Sequence, residues 1–461
     1  MKLTLKNSNL LYFLTVVVHA IYLVFRSPEI FFGGRYFAEE GAIWWSYSLQ
    51  NSFFDTLLYT PVSAGYICFI CNLQIATTKL VPVLIGPFLT TWLSLVIYFL
   101  PSYLFFTLSK EKTTNLNRLT LGILLLILPS INFLEVFGHS INNPTYLGLS
   151  VFIILIYGLE NNQNLILQYV IIFIGFLSQY YSLIMFPLFL LKYFVNNNKH
   201  FMNAFIIGIV SSAIQINILF YKFNFVQTGS LFNRGLDTGI ESSKLYNIIV
   251  DSVTFNFFGE YKLGMVSMFS HTISILDRFQ NKDLIVSVMS TFLIFLIVAR
   301  VLYKKNYKEV NIFLTITAIF LQIILLNFGM IGEFYGRYAV VLPTLIVFLL
   351  FQLYPSNKKI FLYLLFISIA NFNTQGGKYF IECDPYCIDW SDQINNIELG
   401  VDNKYVHWPL GEGDPYWYTD AYDPKPNPAP FQVSDLGELA YDYYNINLKQ
   451  VVAKNFNLLR K

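Results

Sequence analysis

The sequence predicts an all-α, multi-pass membrane protein with about eleven transmembrane helices and a small extracytoplasmic C-terminal domain. Three observations predict it. Charged residues make up 13% of the 461-residue chain, half of the ~25% usual in a soluble protein. The mean hydropathy is +0.52. Apolar runs long enough to cross a bilayer as helices recur along the chain. A net charge of +2 carries no nucleic-acid signal. No Gly-rich phosphate loop, HExxH or zinc-type cysteine spacing is present.

The first run, "NLLYFLTVVVHAIYLVF", follows Lys2 and Lys6. No small-residue cleavage site follows it, so it reads as a retained first helix. Spans are expected at about 9–26, 82–107, 119–135, 145–159, 164–178, 182–196, 202–221, 284–303, 310–329, 338–354 and 359–372. The connecting loops alternate in charge. One set holds Lys2 and Lys6; Lys110, Lys112 and Arg118; Lys192 and Lys199; Arg300, Lys304, Lys305 and Lys308; Lys358 and Lys359. The short loops of the other set, near 136–144, 179–181 and 330–337, hold only Arg337. Positive short loops stay in the cytoplasm. The N-terminus is therefore expected inside.

Residues 1–372 form the expected transmembrane domain, with outer loops at about 27–81 and 222–283. Residues 373–461 form the expected outer domain, with 13 Asp/Glu against 7 Lys/Arg. Its Cys383 and Cys387 are either a small-loop disulfide or two free thiols. Cys68 and Cys71 lie in an apolar stretch and read as packing residues. No cytoplasmic loop has room for a nucleotide-binding domain, so chemistry is expected outside and without ATP.

Seven places carry candidate chemistry. "RYFAEEGAIWW" puts Glu39 and Glu40 at the outer end of the first span. It reads as an interfacial helix with Trp44 and Trp45 at headgroup depth. Adjacent carboxylates repel, which raises one pKa and suits that group to proton abstraction. The competing reading is two solvated loop charges. "LEVFGHSINNPTY" supplies Glu135, His139, Asn142 and Asn143 at the second outer loop. His139 suits phosphate binding or assistance to a base; the competing reading is a polar turn. "MIGEFYGRY" carries Arg337, either a fork for phosphate oxygens or an ion pair with Glu333. Gln179, Tyr180 and Tyr181 form the tip of the third outer loop, Arg234 lies in the fourth, and Gln215 sits within an apolar span. In the tail, "YVHWPLGEGDPYWY" combines His407, Trp408, Trp417 and Tyr418 with Glu412 and Asp414. Aromatic faces with flanking acids suit sugar rings, and a compact aromatic-rich domain explains the same residues.

The pattern resembles the GT-C class of bacterial membrane glycosyltransferases. "FAEEGAIWW" is similar to the "AEDG" opening of many members, "GRYAVVLP" to their late Arg-Tyr segment, and "SQYYSLIMFPLFLL" to their middle Pro-containing helix. The layout is similar to that of phage-type O-antigen glucosyltransferases. The resemblance implies a sugar donor linked to a polyprenyl phosphate in the bacterial inner membrane, and a glycan or lipid-linked acceptor on its periplasmic face. Glu40 or Glu39 would be the base, with Arg337, His139 and Arg234 on the donor phosphate. Glu135, Asn143, Gln179, Tyr180, His407 and Trp408 would contact sugar. The family pair usually contains Asp, so the Glu-Glu pair leaves either residue as the base. A divalent ion, Mg or Mn, would sit on that pair if one binds. An O-antigen polymerase or ligase is the second reading, though Arg234 and Arg278 are the only arginines in the fourth loop. A flippase without chemistry is the third. It predicts polar residues inside several spans, and few are visible beyond Gln215 and Gln322.

Overall fold

A computed structural model describes residues 5–26, 31–32, 36, 40–45, 47–48, 51–60, 67–131, 138–160, 164–223, 307–329 and 341–353. All regular structure among them is helical. The long helices are α1 (Leu5–Arg26), α4 (Gly86–Leu108), α5 (Asn115–Ile131), α6 (Asn143–Tyr157), α7 (Leu165–Ser178), α9 (Phe186–Asn196), α10 (Lys199–Phe223), α11 (Tyr307–Gly329) and α12 (Val341–Leu353). Shorter pieces are a π-helical turn at Glu40–Trp45, α2 (Phe53–Leu57), α3 (Phe69–Thr78), a 3₁₀ turn at Ser140–Asn142 and α8 (Tyr180–Leu183). Helices therefore lie in nine of the expected span positions. Among the described residues, four stretches, Ser8–Phe25, Gly86–Leu108, Ser140–Tyr157 and Lys199–Asn217, are long and apolar enough to cross a membrane. The expected spans at 284–303 and 359–372, and the tail, lie outside the described residues.

Local chemistry sets the helix ends. Pro87, Pro144 and Pro187 each sit in the first turn of α4, α6 and α9. There the missing N–H leaves no helical bond unmade and φ is already helical. Helix α6 is the axis of the bundle. Every one of its residues is buried, as a helix apolar all round requires. It packs on α4, α7 and α8. By contrast α1 keeps Phe13, Val18 and Phe25 exposed, the surface a bilayer-facing helix needs.

Chain direction gives the bundle two ends. At one, the α4–α5, α6–α7 and α9–α10 connections gather Lys112, Glu160, Asn198 and the end of α9. The last four carbonyls of α6 have no partner inside the helix, and each is met in another way. The Gly158 N–H takes Ile154 O at 2.9 Å. Buried Lys192 donates to Leu155 O at 2.6 Å and Ile156 O at 2.8 Å. Lys112 donates to Tyr157 O at 3.3 Å. Cations belong at this negative end of the helix dipole. Glu160 pairs with Lys112 and lies 3.5 Å from Lys192.

At the opposite end, the Glu40 turn, α2 and α3 are folded within residues 27–81, and α3 packs on α4 and α7. Trp44 and Trp45 are buried within the protein, 6% and 2% exposed, rather than presented to lipid headgroups. The Trp44 indole N–H donates to Asn72 Oδ1 at 3.1 Å, so its polar edge is satisfied inside. Cys68 and Cys71 are core residues, as expected of packing, but they are also joined in a disulfide.

Candidate functional site

The end of the bundle away from Lys192 collects polar groups from segments far apart in the chain. Glu40 opens the π-helical turn and is 1% exposed. Its carboxylate Oε1 accepts the Ser140 backbone N–H at 3.0 Å, across 100 residues. That N–H is the first of the Ser140–Asn142 turn, where helical N–H groups lack internal partners and favour an anion. His139 precedes the turn in an extended conformation. Burial pushes its imidazole down to about 3 from the ordinary 6.5, so the ring is neutral at physiological pH. Tyr36 lies by the Glu40 carboxylate. Burial raises its phenol well above the ordinary range, and the Glu40 charge adds to the rise.

Helix α3 forms one wall. The Ile70 N–H donates to Ser178 Oγ at 3.0 Å, tying α3 to the end of α7. Cys71 Sγ lies 3.3 Å from Ser140 O. One turn further on, Gln74 Oε1 accepts from Asn143 Nδ2 at 2.5 Å, and Ser94 Oγ of α4 accepts from the same amide at 2.9 Å. Gln215 of α10 secures the start of α3: its amide donates to Ile67 O and Leu177 O, and its oxygen accepts the Ile67 N–H. That is a structural role.

No family model matches the chain, and no curated protein or solved structure does. The site therefore rests on its own geometry. Of the residues the sequence nominates, Glu40, His139 and Asn143 come together around one turn. Gln179 ends α7 beside Ser178, and its side-chain Oε1 is buried without a hydrogen-bond partner among the described residues. Tyr180 begins α8. Glu39, Glu135, Arg234, Arg337, His407 and Trp408 lie outside the described residues, as do Arg278, Cys383 and Cys387. No group of three or more His, Cys, Asp or Glu is placed to hold a metal ion among the described residues.

Sequence reasoning missed Tyr36, Gln74, Ser94 and the disulfide. One signal was available for Gln74: "CNLQIA" puts two amides into an apolar stretch, and polar groups in such settings repay attention. Nothing in the sequence indicates that Ser140 supplies the N–H for Glu40.

Proposed function

We propose that this chain is an integral membrane glycosyltransferase of GT-C type. It moves one sugar from a polyprenyl-phosphate donor to a glycan or lipid-linked acceptor on the outer face of the bacterial inner membrane. The observation that carries the reading is the buried Glu40 carboxylate, held by the Ser140 N–H at one end of an apolar helical bundle. A buried carboxylate is expensive and is kept where it does chemistry.

In this reading the acceptor hydroxyl oxygen attacks the anomeric carbon. The bond from that carbon to the phosphate oxygen breaks, and the electron pair leaves with the lipid phosphate. Glu40 takes the hydroxyl proton. Arg337 and Arg234 offset the charge on the departing phosphate. His139, neutral where it sits, contributes hydrogen bonding and no charge. Glu39 orients a partner of Glu40. Asn143, Gln179 and Tyr180, with Glu135, His407 and Trp408, contact sugar.

The Cys68–Cys71 disulfide supports placing the Glu40 end in an oxidising compartment. The lysines at the other end support a cytoplasmic location there. The N-terminus is then cytoplasmic and residues 373–461 are periplasmic. One observation favours the flippase reading: the bundle buries more polar contacts than its sequence suggests, among them His19 with Tyr98 at 3.1 Å and Tyr12 with Ser102 at 2.7 Å.

Deleting the gene and weighing the surface glycans tests the proposal. Loss of one sugar mass per repeat is expected. Loss of chain length instead indicates a polymerase, and intact glycans held on the cytoplasmic leaflet indicate a flippase.

A further inference from the structure

Gln74, Ser94, Ser140 and Asn143 form a polar cluster beside Glu40 that the bundle does not satisfy by itself. All four are buried. Helix α3 and the start of α6 face each other like two rungs. Cys71 meets Ser140 on the first rung, and Gln74 meets Asn143 on the second. Residues three apart share a face both on an α-helix and on a 3₁₀ turn. Ser140 and Asn143 therefore line the same side as Cys71 and Gln74. Ser94 closes the second rung from α4, 3.5 Å from Gln74 Oε1 and 2.9 Å from the Asn143 amide.

Count what is left over. Gln74 Nε2, Asn143 Oδ1 and Ser140 Oγ are buried and have no hydrogen-bond partner among the described residues. That is an amide donor, a carbonyl acceptor and a hydroxyl in one place. Leaving such groups unmet in an apolar interior costs about 1–3 kcal/mol each, so a partner is required. The chemistry of the set selects it. An anion is repelled by Asn143 Oδ1 and by the Glu40 carboxylate. A cation is repelled by the Gln74 amide protons. A neutral hydroxyl donates to one group and accepts from another, and so suits the set.

We propose that the Gln74–Ser94–Asn143 cluster, with Ser140, is a subsite for a hydroxyl group of a sugar ring, set beside Glu40. This rests on the glycosyltransferase reading and extends it to Gln74, Ser94 and Ser140. The sugar is either that of the lipid-linked donor or that of the acceptor.

Affinity measurements on the full chain in lipid nanodiscs test it without relying on turnover. The probes are citronellyl phosphates bearing glucose, galactose or N-acetylglucosamine, citronellyl phosphate alone, and the methyl glycosides of the same sugars. The variants are Asn143→Leu, Gln74→Met and the milder Ser94→Ala, which reports on the same cluster should the larger changes impair folding. Wild type should prefer a sugar-bearing probe. Each variant should lose about tenfold in affinity for it, as one lost hydrogen bond implies, and keep its affinity for citronellyl phosphate. Loss on the lipid-phosphate sugars assigns the subsite to the donor, and loss on the methyl glycosides assigns it to the acceptor. Equal weakening on every probe, no change in folded variants, or no sugar preference in wild type overturns the proposal, and a buried water then fills the cluster. The outcome is separable from that of the functional reading. Sugar transfer with no effect of these variants keeps the enzyme and loses the subsite. Sugar-selective binding without transfer does the reverse.

Discussion

Replacing Lys192 with Met should cost the protein about 2–6 kcal/mol while leaving the Glu40 site intact. Met keeps most of the volume of the buried stem and removes the ammonium. Two carbonyls, Leu155 O and Ile156 O, lose the donor that sits at 2.6 and 2.8 Å. Each buried, unmet carbonyl costs about 1–3 kcal/mol, and two give the range above. Asn311 Oδ1, at 3.2 Å, loses a weaker contact. Glu160 adds little, because it is part exposed and keeps Lys112 as a partner. The assay is unfolding of the full chain in mixed micelles by rising SDS, followed by far-UV circular dichroism. Lys112→Met should cost less, because the carbonyl it frees, Tyr157 O, is a longer contact at 3.3 Å and its ion-pair partner Glu160 is part exposed and keeps Lys192 nearby. A Lys192→Met variant within about 0.5 kcal/mol of wild type, the scatter of a neutral surface change, would refute the reasoning. The end of α6 would then be satisfied by some other group.

Three further outcomes are expected. Gly208→Ala should destabilise the bundle, because the new methyl would meet Phe186 Cγ at 2.7 Å and force α9 and α10 apart; thermal melting in detergent should show the loss, and an unchanged midpoint would contradict that contact. His139 makes stability fall in acid: the folded state binds this proton less well than the unfolded chain, so the loss begins as pH drops through about 6.5 and continues toward about 3. At pH 5 the cost is about 2 kcal/mol, and His139→Gln should flatten that part of the profile; an equally steep profile in the variant would show that another group titrates. Alkylation of the unreduced, denatured chain followed by peptide mass spectrometry should leave Cys68 and Cys71 unlabelled; free thiols at both would remove the disulfide and its support for the outer location.

How far the sequence can be read follows from the range of the forces involved. Apolar runs gave helices close to their expected bounds, as at Asn143–Tyr157, because periodicity, the Pro144 start and burial on all sides agree locally. The short helices within 27–81 were not legible because each piece is brief. Ten residues of α3 with Asn72 and Gln74 among them carry no span signal. Trp44 and Trp45 have the composition of an interface, and the Asn72 side-chain carbonyl that takes the Trp44 indole N–H suits that ring to the interior. Glu40 could be singled out as an expensive charge in an apolar setting. Its partner, the Ser140 N–H, could not, because any residue other than proline supplies one. Cys68 and Cys71 were placed in the core for their apolar neighbours, and their spacing proved the stronger signal.

Single-turnover transfer by Glu40→Gln addresses the central claim most directly. Glutamine keeps the size of the side chain and an oxygen for the Ser140 N–H, now 3.0 Å from the carboxylate, but cannot take up a proton. The measurement uses purified full chain, a polyprenyl-phosphate sugar and an acceptor glycan, with the melting temperature of each sample recorded alongside. The account predicts a rate about 10²–10⁴-fold lower, the usual contribution of a general base, with donor binding and melting temperature held. A variant that melts like wild type and keeps more than about a tenth of its rate, far above what losing a base leaves, would contradict the account and make Glu40 a buried structural charge.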